Sequence, residues 1–130
     1  MTFPVTKSDD EWRRDLPLER FQVLREAATE APFSGSLLDV SAEGVYSCGG
    51  CGQTLFTSAQ KFDSHCGWPS FDACEVGTII ERPDHSLARA RTEILCARCG
   101  GHLGHVFDDG PTDTGLRYCV NSLAIDFVAE

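Results

Sequence analysis

Apolar residues recur at helical spacing only near the start of the chain. Beyond that they come in short runs broken by Gly, Pro and Asp. Ser8-Asp9-Asp10-Glu11 has the form of a capping box, in which the Ser8 hydroxyl caps the first turn and Glu11 reaches back to a free amide. A short helix running to about residue 16 follows from it. Pro17 suits the first turn of a second helix, from 18 to about 28, with Leu18, Phe21, Leu24 and Ala28 as its apolar stripe. Both helices read as a packing layer without chemistry of their own.

Ala31-Pro32-Phe33-Ser34-Gly35 ends the helical pattern, and the rest reads as strands and turns. Candidate strands are 44–48, 54–57, 78–82, 87–96, 105–108, 116–121 and 124–128. Several short strands at this spacing predict antiparallel sheets and not a doubly wound fold. The 117–121 strand is the most informative. Side chains alternate between faces with period two, so Arg117, Cys119 and Asn121 share one face and Tyr118 and Val120 the other. A thiol flanked by a fixed cation and an amide suits a nucleophile, because positive charge favours the reactive thiolate. A small buried residue in the core explains the same thiol equally well on this stretch alone.

A chain of 130 residues is expected to form one domain, with an N-terminal helical segment (1–34) and a β-rich part (35–130). The net charge is −9, from 11 basic and 20 acidic residues. Such a surface repels phosphate backbones, and the nearest basic group, Arg82, Arg89, Arg91 and Arg98, is interleaved with Glu81, Asp84 and Glu93. Nucleic acid is therefore not expected as a partner. No apolar run is long enough to span a membrane, and the first ten residues lack the layout of a signal peptide, so a cytoplasmic location is expected.

In the cytosol thiols are kept reduced, which gives the seven cysteines a meaning. Cys48-Gly49-Gly50-Cys51-Gly52 and Cys96-Ala97-Arg98-Cys99-Gly100 repeat one form. Two residues between cysteines let both sulfurs face one ion from a tight turn, and the glycine that follows permits a positive φ. Two such knuckles complete a four-thiolate shell, the closed arrangement of structural zinc, with iron as the rival metal. A thioredoxin-like pair would need only one knuckle and a βαβ setting that is missing. Zinc at Cys48, Cys51, Cys96 and Cys99 would clamp two parts of the domain together.

Cys66, Cys74 and Cys119 are left over. Cys66 lies in His65-Cys66-Gly67-Trp68-Pro69-Ser70-Phe71, where Trp68 and Phe71 form either a wall for an apolar group or anchors to the core. Cys74 sits beside acids that raise a thiol's pKa, and reads as a bystander. His102 and His105 are spaced by three with Asp108 and Asp109 close behind, and suit proton handling near a reactive thiol better than a second metal site.

Taken together, Cys48-x-x-Cys51-Gly52-x-x-Leu55-Phe56, Cys66-Gly67-Trp68-Pro69-Ser70-Phe71, Cys96-x-x-Cys99-Gly100, the run His102 to Pro111 and Gly115 to Ser122 closely resemble the B-type methionine sulfoxide reductases. The resemblance implies reduction of the R epimer of methionine sulfoxide, mainly within polypeptides; an external dithiol such as thioredoxin is expected as reductant, and a monomer is expected. It implies Cys119 as nucleophile and Cys66 as resolving cysteine. His102, His105, Asp109, Arg117 and Asn121 would line the pocket. Trp68 and Phe107 would bind substrate, with Trp68 packing on the S-methyl group. The four knuckle cysteines would hold zinc, within a mainly β fold of two small antiparallel sheets and short N-terminal helices. His65 stands where glycine is usual, and Ser86-Leu87-Ala88-Arg89 lacks an expected Gly-Met pair. A non-enzymatic zinc module for protein interaction, and a general thiol peroxidase, are the rival readings.

Overall fold

The computed structural model describes residues 3–130. The capping box forms as expected: Ser8 accepts from the Glu11 amide, Glu11 returns the bond, and α1 spans Asp9–Asp15. Asp9, Asp10 and Glu11 lie in the first turn and Arg13 and Arg14 in the last, the order the helix dipole favours, while Asp15 at the helix end pairs with Lys7. Pro17 stands at the N-cap of α2 (Leu18–Glu26), one position before the first turn. The buried residues of α2 are Phe21, Val23 and Leu24, whereas Leu18 at the helix start stays 69% exposed. Ala27 turns left-handed (φ 57°) and ends the helix, so Ala28 packs against the core from beyond it.

Nine strands follow among the described residues. Gly44–Cys48 (β1), Thr54–Thr57 (β2) and Ile125–Ala129 (β9) form a three-stranded sheet in the order β2-β1-β9. Lys61–Phe62 (β3), Ser70–Phe71 (β4), Ile79–Asp84 (β5), Arg91–Cys96 (β6), His102–Phe107 (β7) and Arg117–Val120 (β8) form a six-stranded sheet in the order β3-β4-β8-β7-β6-β5. Every pairing is antiparallel. The expected strand over 87–96 begins only at Arg91. Asp84 Oδ1 accepts the Ser86 N–H at 2.9 Å, and this Asx-type turn starts the hairpin before Leu87.

Aromatic side chains join the two sheets. Phe56 of β2 stacks on Phe71 of β4 at 4.2 Å, and Tyr46 of β1 meets the Phe71 edge at 5.0 Å. All three are fully buried, and such pairs add about 0.5–1.5 kcal/mol each beyond their area. Phe71 thus anchors the 66–71 loop to the core. The helices cover the two knuckles: Trp12 and Leu24 lie against Gly50, and Arg25 Nη1 donates to the Cys99 carbonyl at 2.9 Å. Arg20 adds bonds to the Leu123 and Ile125 carbonyls and to Asp126, which tie α2 to the start of β9.

Candidate active site

The two knuckles repeat in structure as they do in sequence. Cys48 N–H donates to Gln53 O and Gly52 N–H to Cys48 O, and Cys96 N–H and Gly100 N–H make the same bonds in the second knuckle. Gly52 (φ 81°) and Gly100 (φ 76°) take the left-handed conformation this turn requires. One knuckle ends β1 and the other ends β6, so the cluster bridges the two sheets. The four Sγ atoms lie within 4.8 Å of one another, with Cys48–Cys99 and Cys51–Cys96 each at 3.6 Å. Four Zn–S bonds of about 2.3 Å would place sulfurs about 3.8 Å apart, so these residues fit a tetrahedral ion. Chemistry agrees with geometry. The adjacent Cys96 and Cys99 sulfurs and burial push the Cys48 thiol up, so a cation is needed for all four to be thiolates together. Gly50 N–H also donates to Cys48 Sγ at 3.3 Å, a bond suited to a metal-bound thiolate.

Arg117, Cys119, His105 and Phe107 lie on one face of the six-stranded sheet, set by its register, while Cys66 and Trp68 come from the loop before β4 and Asn121 from just past β8. Ser70 of β4 pairs with Cys119 of β8, Cys119 with His105 of β7, His105 with Glu93 of β6, and Glu93 with Arg82 of β5. Gly104 lies beside this row, where an added Cβ would fall 1.9 Å from the Cys119 carbonyl oxygen. The register of β7 with β6 skips one residue between His102 and Gly104. In a regular strand two histidines spaced by three face opposite sides. The bulge at Leu103 brings their rings within 5.6 Å of each other. The Leu103 carbonyl accepts two bonds from Asn121, from its backbone N–H and from Nδ2, both at 3.0 Å.

Cys119 and Cys66 face each other with sulfurs 3.2 Å apart, both reduced. Arg117 Nη1 donates to Cys119 Sγ at 2.8 Å, while its other two nitrogens grip the Asp109 carboxylate at 2.8 and 3.0 Å. That grip holds Asp109 below the usual carboxylate range and raises Arg117 further. Two thiols this close titrate as a pair. The hydrogen bond from Cys119, helped by the hydroxyls of Ser64 and Ser70, holds Cys66 down to about 4. The same contact and burial push Cys119 up, against the pull of Arg117. The pair therefore carries one negative charge at neutral pH, shared across the S–S contact and steadied from the Cys119 side by the guanidinium.

Each histidine has its own carboxylate. Asp84 Oδ2 lies 2.7 Å from His105 Nε2 and 3.1 Å from Arg91, and Glu93 lies 2.5 Å from His102 Nδ1 and 2.8 Å from Arg82. Hydrogen bonds from Ser86, then from His105, hold Asp84 well below the usual range. Burial outweighs Glu93 at His102 and lowers the pKa of that imidazole.

A cavity of about 280 Å³ opens over the thiol pair, lined by Thr29, Cys66, Trp68, Arg91, Gly104, His105, Phe107, Arg117, Cys119 and Asn121. Of the expected site residues, Cys66, Trp68, His105, Phe107, Arg117, Cys119 and Asn121 meet there. His102 does not line it and is buried behind His105; Asp109 stands outside, against Arg117. Phe107 lies under the Arg117 guanidinium at 4.4 Å. His65 takes the left-handed conformation at φ 60° and points away, 85% exposed, toward Asp63. Cys74 lies on the opposite face of β8, 3.8 Å from the Tyr118 hydroxyl, and burial, more than its neighbouring acids, raises its pKa. Sequence reasoning missed Asp84, Glu93, Arg91 and Thr29, because only the strand register and the return of the linker after α2 bring them in.

A family model described as the SelR domain matches residues 16–129. The chain is 52% identical over 130 residues to the peptide methionine sulfoxide reductase MsrB of Leifsonia xyli, covering 98% of this chain and 94% of that one. It is 54% identical over 125 residues to the protein of the same name from Teredinibacter turnerae, covering 95% and 93%. With that from Bradyrhizobium diazoefficiens the identity is 55% over 122 residues, covering 93% and 88%. Similarity of this extent runs through both knuckles, the cavity and β8 alike, and the chain belongs to the SelR-domain family of B-type methionine sulfoxide reductases.

Proposed function

We propose that this protein is a peptide-methionine (R)-S-oxide reductase: a cytoplasmic monomer that returns the R epimer of methionine sulfoxide in oxidised proteins to methionine. The observation that carries the reading is the convergence of two reduced thiols 3.2 Å apart, a guanidinium on one of them and two aromatic side chains around a single small cavity. That set suits a sulfoxide better than a peroxide, which has no methyl group for Trp68 and Phe107 to hold. It also leaves the interaction-module reading without a use for the thiol pair.

In the proposed reaction the Cys119 thiolate, stabilised by Arg117, attacks the sulfoxide sulfur as the pair's proton passes to Cys66. A sulfoxide sulfur is a poor electrophile until its oxygen is protonated, and His105, opposite Cys119 in the ladder and braced by Asp84, supplies that proton. Methionine leaves and the oxygen stays on Cys119 as a sulfenic acid, the first and reversible stage of thiol oxidation. Cys66 then attacks the sulfenic sulfur, water departs, and a Cys66–Cys119 disulfide forms. A dithiol of the thioredoxin class takes up that disulfide by exchange, so one dithiol is oxidised for each sulfoxide reduced. Asp109 fixes Arg117, His102 backs His105, and Asn121 pins the bulge from which His105 projects. Zinc is the proposed ion of the four-cysteine site; when bound it neutralises four thiolates and holds β1 to β6, and no step passes through it.

The reading is tested by assaying epimerically pure sulfoxide peptides and hydrogen peroxide with thioredoxin, its reductase and NADPH. Turnover confined to the R epimer is expected. Equal turnover of peroxide, or none of either epimer, would contradict it.

A further inference from the structure

The linker between α2 and β1 carries no residue of the proposed chemistry, yet it forms one wall of the cavity through Thr29. Its next residue, Glu30, is 8% exposed and makes three bonds to three separate parts of the site. Its backbone N–H donates to Asn121 Oδ1 at 3.0 Å, and its carbonyl accepts from the Trp68 indole Nε1 at 3.1 Å. Its carboxylate Oε1 accepts from the Leu123 N–H at 3.0 Å, just after β8. Oε2 is buried without a partner among the described residues. Three residues on, Phe33 takes φ 64° and donates its N–H to the Gly67 carbonyl at 2.7 Å, between Cys66 and Trp68.

A buried acid is costly in a linker unless it is fastened to something. Here the side chain fastens the linker to the main chain beyond β8, and the main chain of the same residue then holds the indole edge and the Asn121 amide. Gly35 belongs to the same arrangement, because an added Cβ there would fall 2.4 Å from Glu30 Oε2 and 2.2 Å from Ser122 Oγ. We propose that Glu30 is a positioning residue: by anchoring on Leu123 it sets the Trp68 indole at the height at which it meets the S-methyl group, and aligns Asn121 with the same bond framework. The inference rests on the sulfoxide reading for the methyl group, but not for the position of the indole. An aromatic wall loses binding when it is held loosely, since a first layer of contacts is only as exact as its support.

Two measurements on the full-length, zinc-loaded protein test this. The first is the Trp68 indole ¹H–¹⁵N resonance, assigned with Trp68→Phe and compared with that of Trp12. The second is the separate determination of KM and kcat on an R-sulfoxide peptide. Glu30→Ala is expected to shift the Trp68 resonance upfield, leave that of Trp12 in place, and raise KM roughly tenfold with kcat changed less than about threefold. Glu30→Gln keeps an oxygen for the Leu123 N–H and is expected to restore both values. Glu30→Asp, one methylene shorter, is expected to fall between, and supplies the test if the alanine variant does not fold. A loss of thermal stability with an unmoved Trp68 resonance and unchanged KM would overturn the proposal, as would a glutamine variant as impaired as alanine. Wild-type protein without sulfoxide turnover would remove the proposed function while leaving the resonance test intact.

Discussion

At the scale of single residues, the reactivity of the thiol pair comes from proximity and one guanidinium. A lone thiol with a pKa of about 8.5 loses roughly a hundredfold in thiolate between pH 8 and pH 6. With Cys66 held near 4, the pair keeps one thiolate across that range, because its charge is lost only as pH falls through the lowered value. Alkylation by iodoacetamide, mapped by mass spectrometry, is therefore expected to stay nearly level from pH 8 to pH 6 at this site, while Cys74, raised by burial, reacts slowly throughout. Arg117→Met is expected to raise by about one unit the pH, below 6, at which the site's reactivity falls off, through loss of an adjacent cation. A wild-type profile that follows an ordinary thiol would contradict the shared charge. Cys119 itself was legible in the sequence as one of two readings, nucleophile or filler. Neither its 3.2 Å contact with Cys66 nor its bond from Arg117 was, since both depend on where a loop and a long side chain settle.

At the scale of elements, the bulge on β7 shows why the site was only partly readable. Period-two alternation placed Arg117 and Cys119 on one face of β8, with Asn121 just past its end lining the same cavity, and the other residues of the row then follow from register. No period, however, predicts that Leu103 is the extra residue, nor that Asn121 holds its carbonyl. Strands β3 and β4 are two residues long and carry no pattern, so the loop around Trp68 and Phe71 left wall and anchor undecided. The structure divides the roles: Trp68 faces the cavity and Phe71 lies in the core. Gly104 is the most sensitive point of this element. A methyl group there would fall on the Cys119 backbone, which cannot yield without separating β7 from β8. Gly104→Ala is expected to destabilise the protein by about 2–4 kcal/mol in urea unfolding, the range of overpacked or cavity-forming core changes, and to abolish turnover. A stable, active Gly104→Ala protein would mean that the two strands pair more loosely than described.

On the scale of the whole molecule, stability is concentrated where the sheets meet. One junction is the Tyr46, Phe56 and Phe71 aromatic cluster, and the other is the four-cysteine site under the two helices. The helices read as a plain packing layer from sequence, and they pack over the knuckles, with Arg25 bonded to the Cys99 carbonyl. Structural zinc sites can contribute on the order of 10 kcal/mol to folding. Removal of the metal with a strong chelator is therefore expected to lower the melting temperature steeply and to abolish activity together with near-ultraviolet circular dichroism, with recovery on adding zinc. A metal-free protein that keeps its melting temperature would show that the aromatic cluster suffices and that the four thiols do not clamp the fold.

The central claim is that Cys119 attacks the sulfoxide and Cys66 resolves the product, and the most direct measurement is methionine released per enzyme without any external reductant. The prediction is one methionine for the wild-type protein with a Cys66–Cys119 disulfide in its mass map, about one for Cys66→Ser with a sulfenic acid on Cys119, and none for Cys119→Ser. Release of methionine by Cys119→Ser, or none by Cys66→Ser, would contradict the assignment of the two thiols.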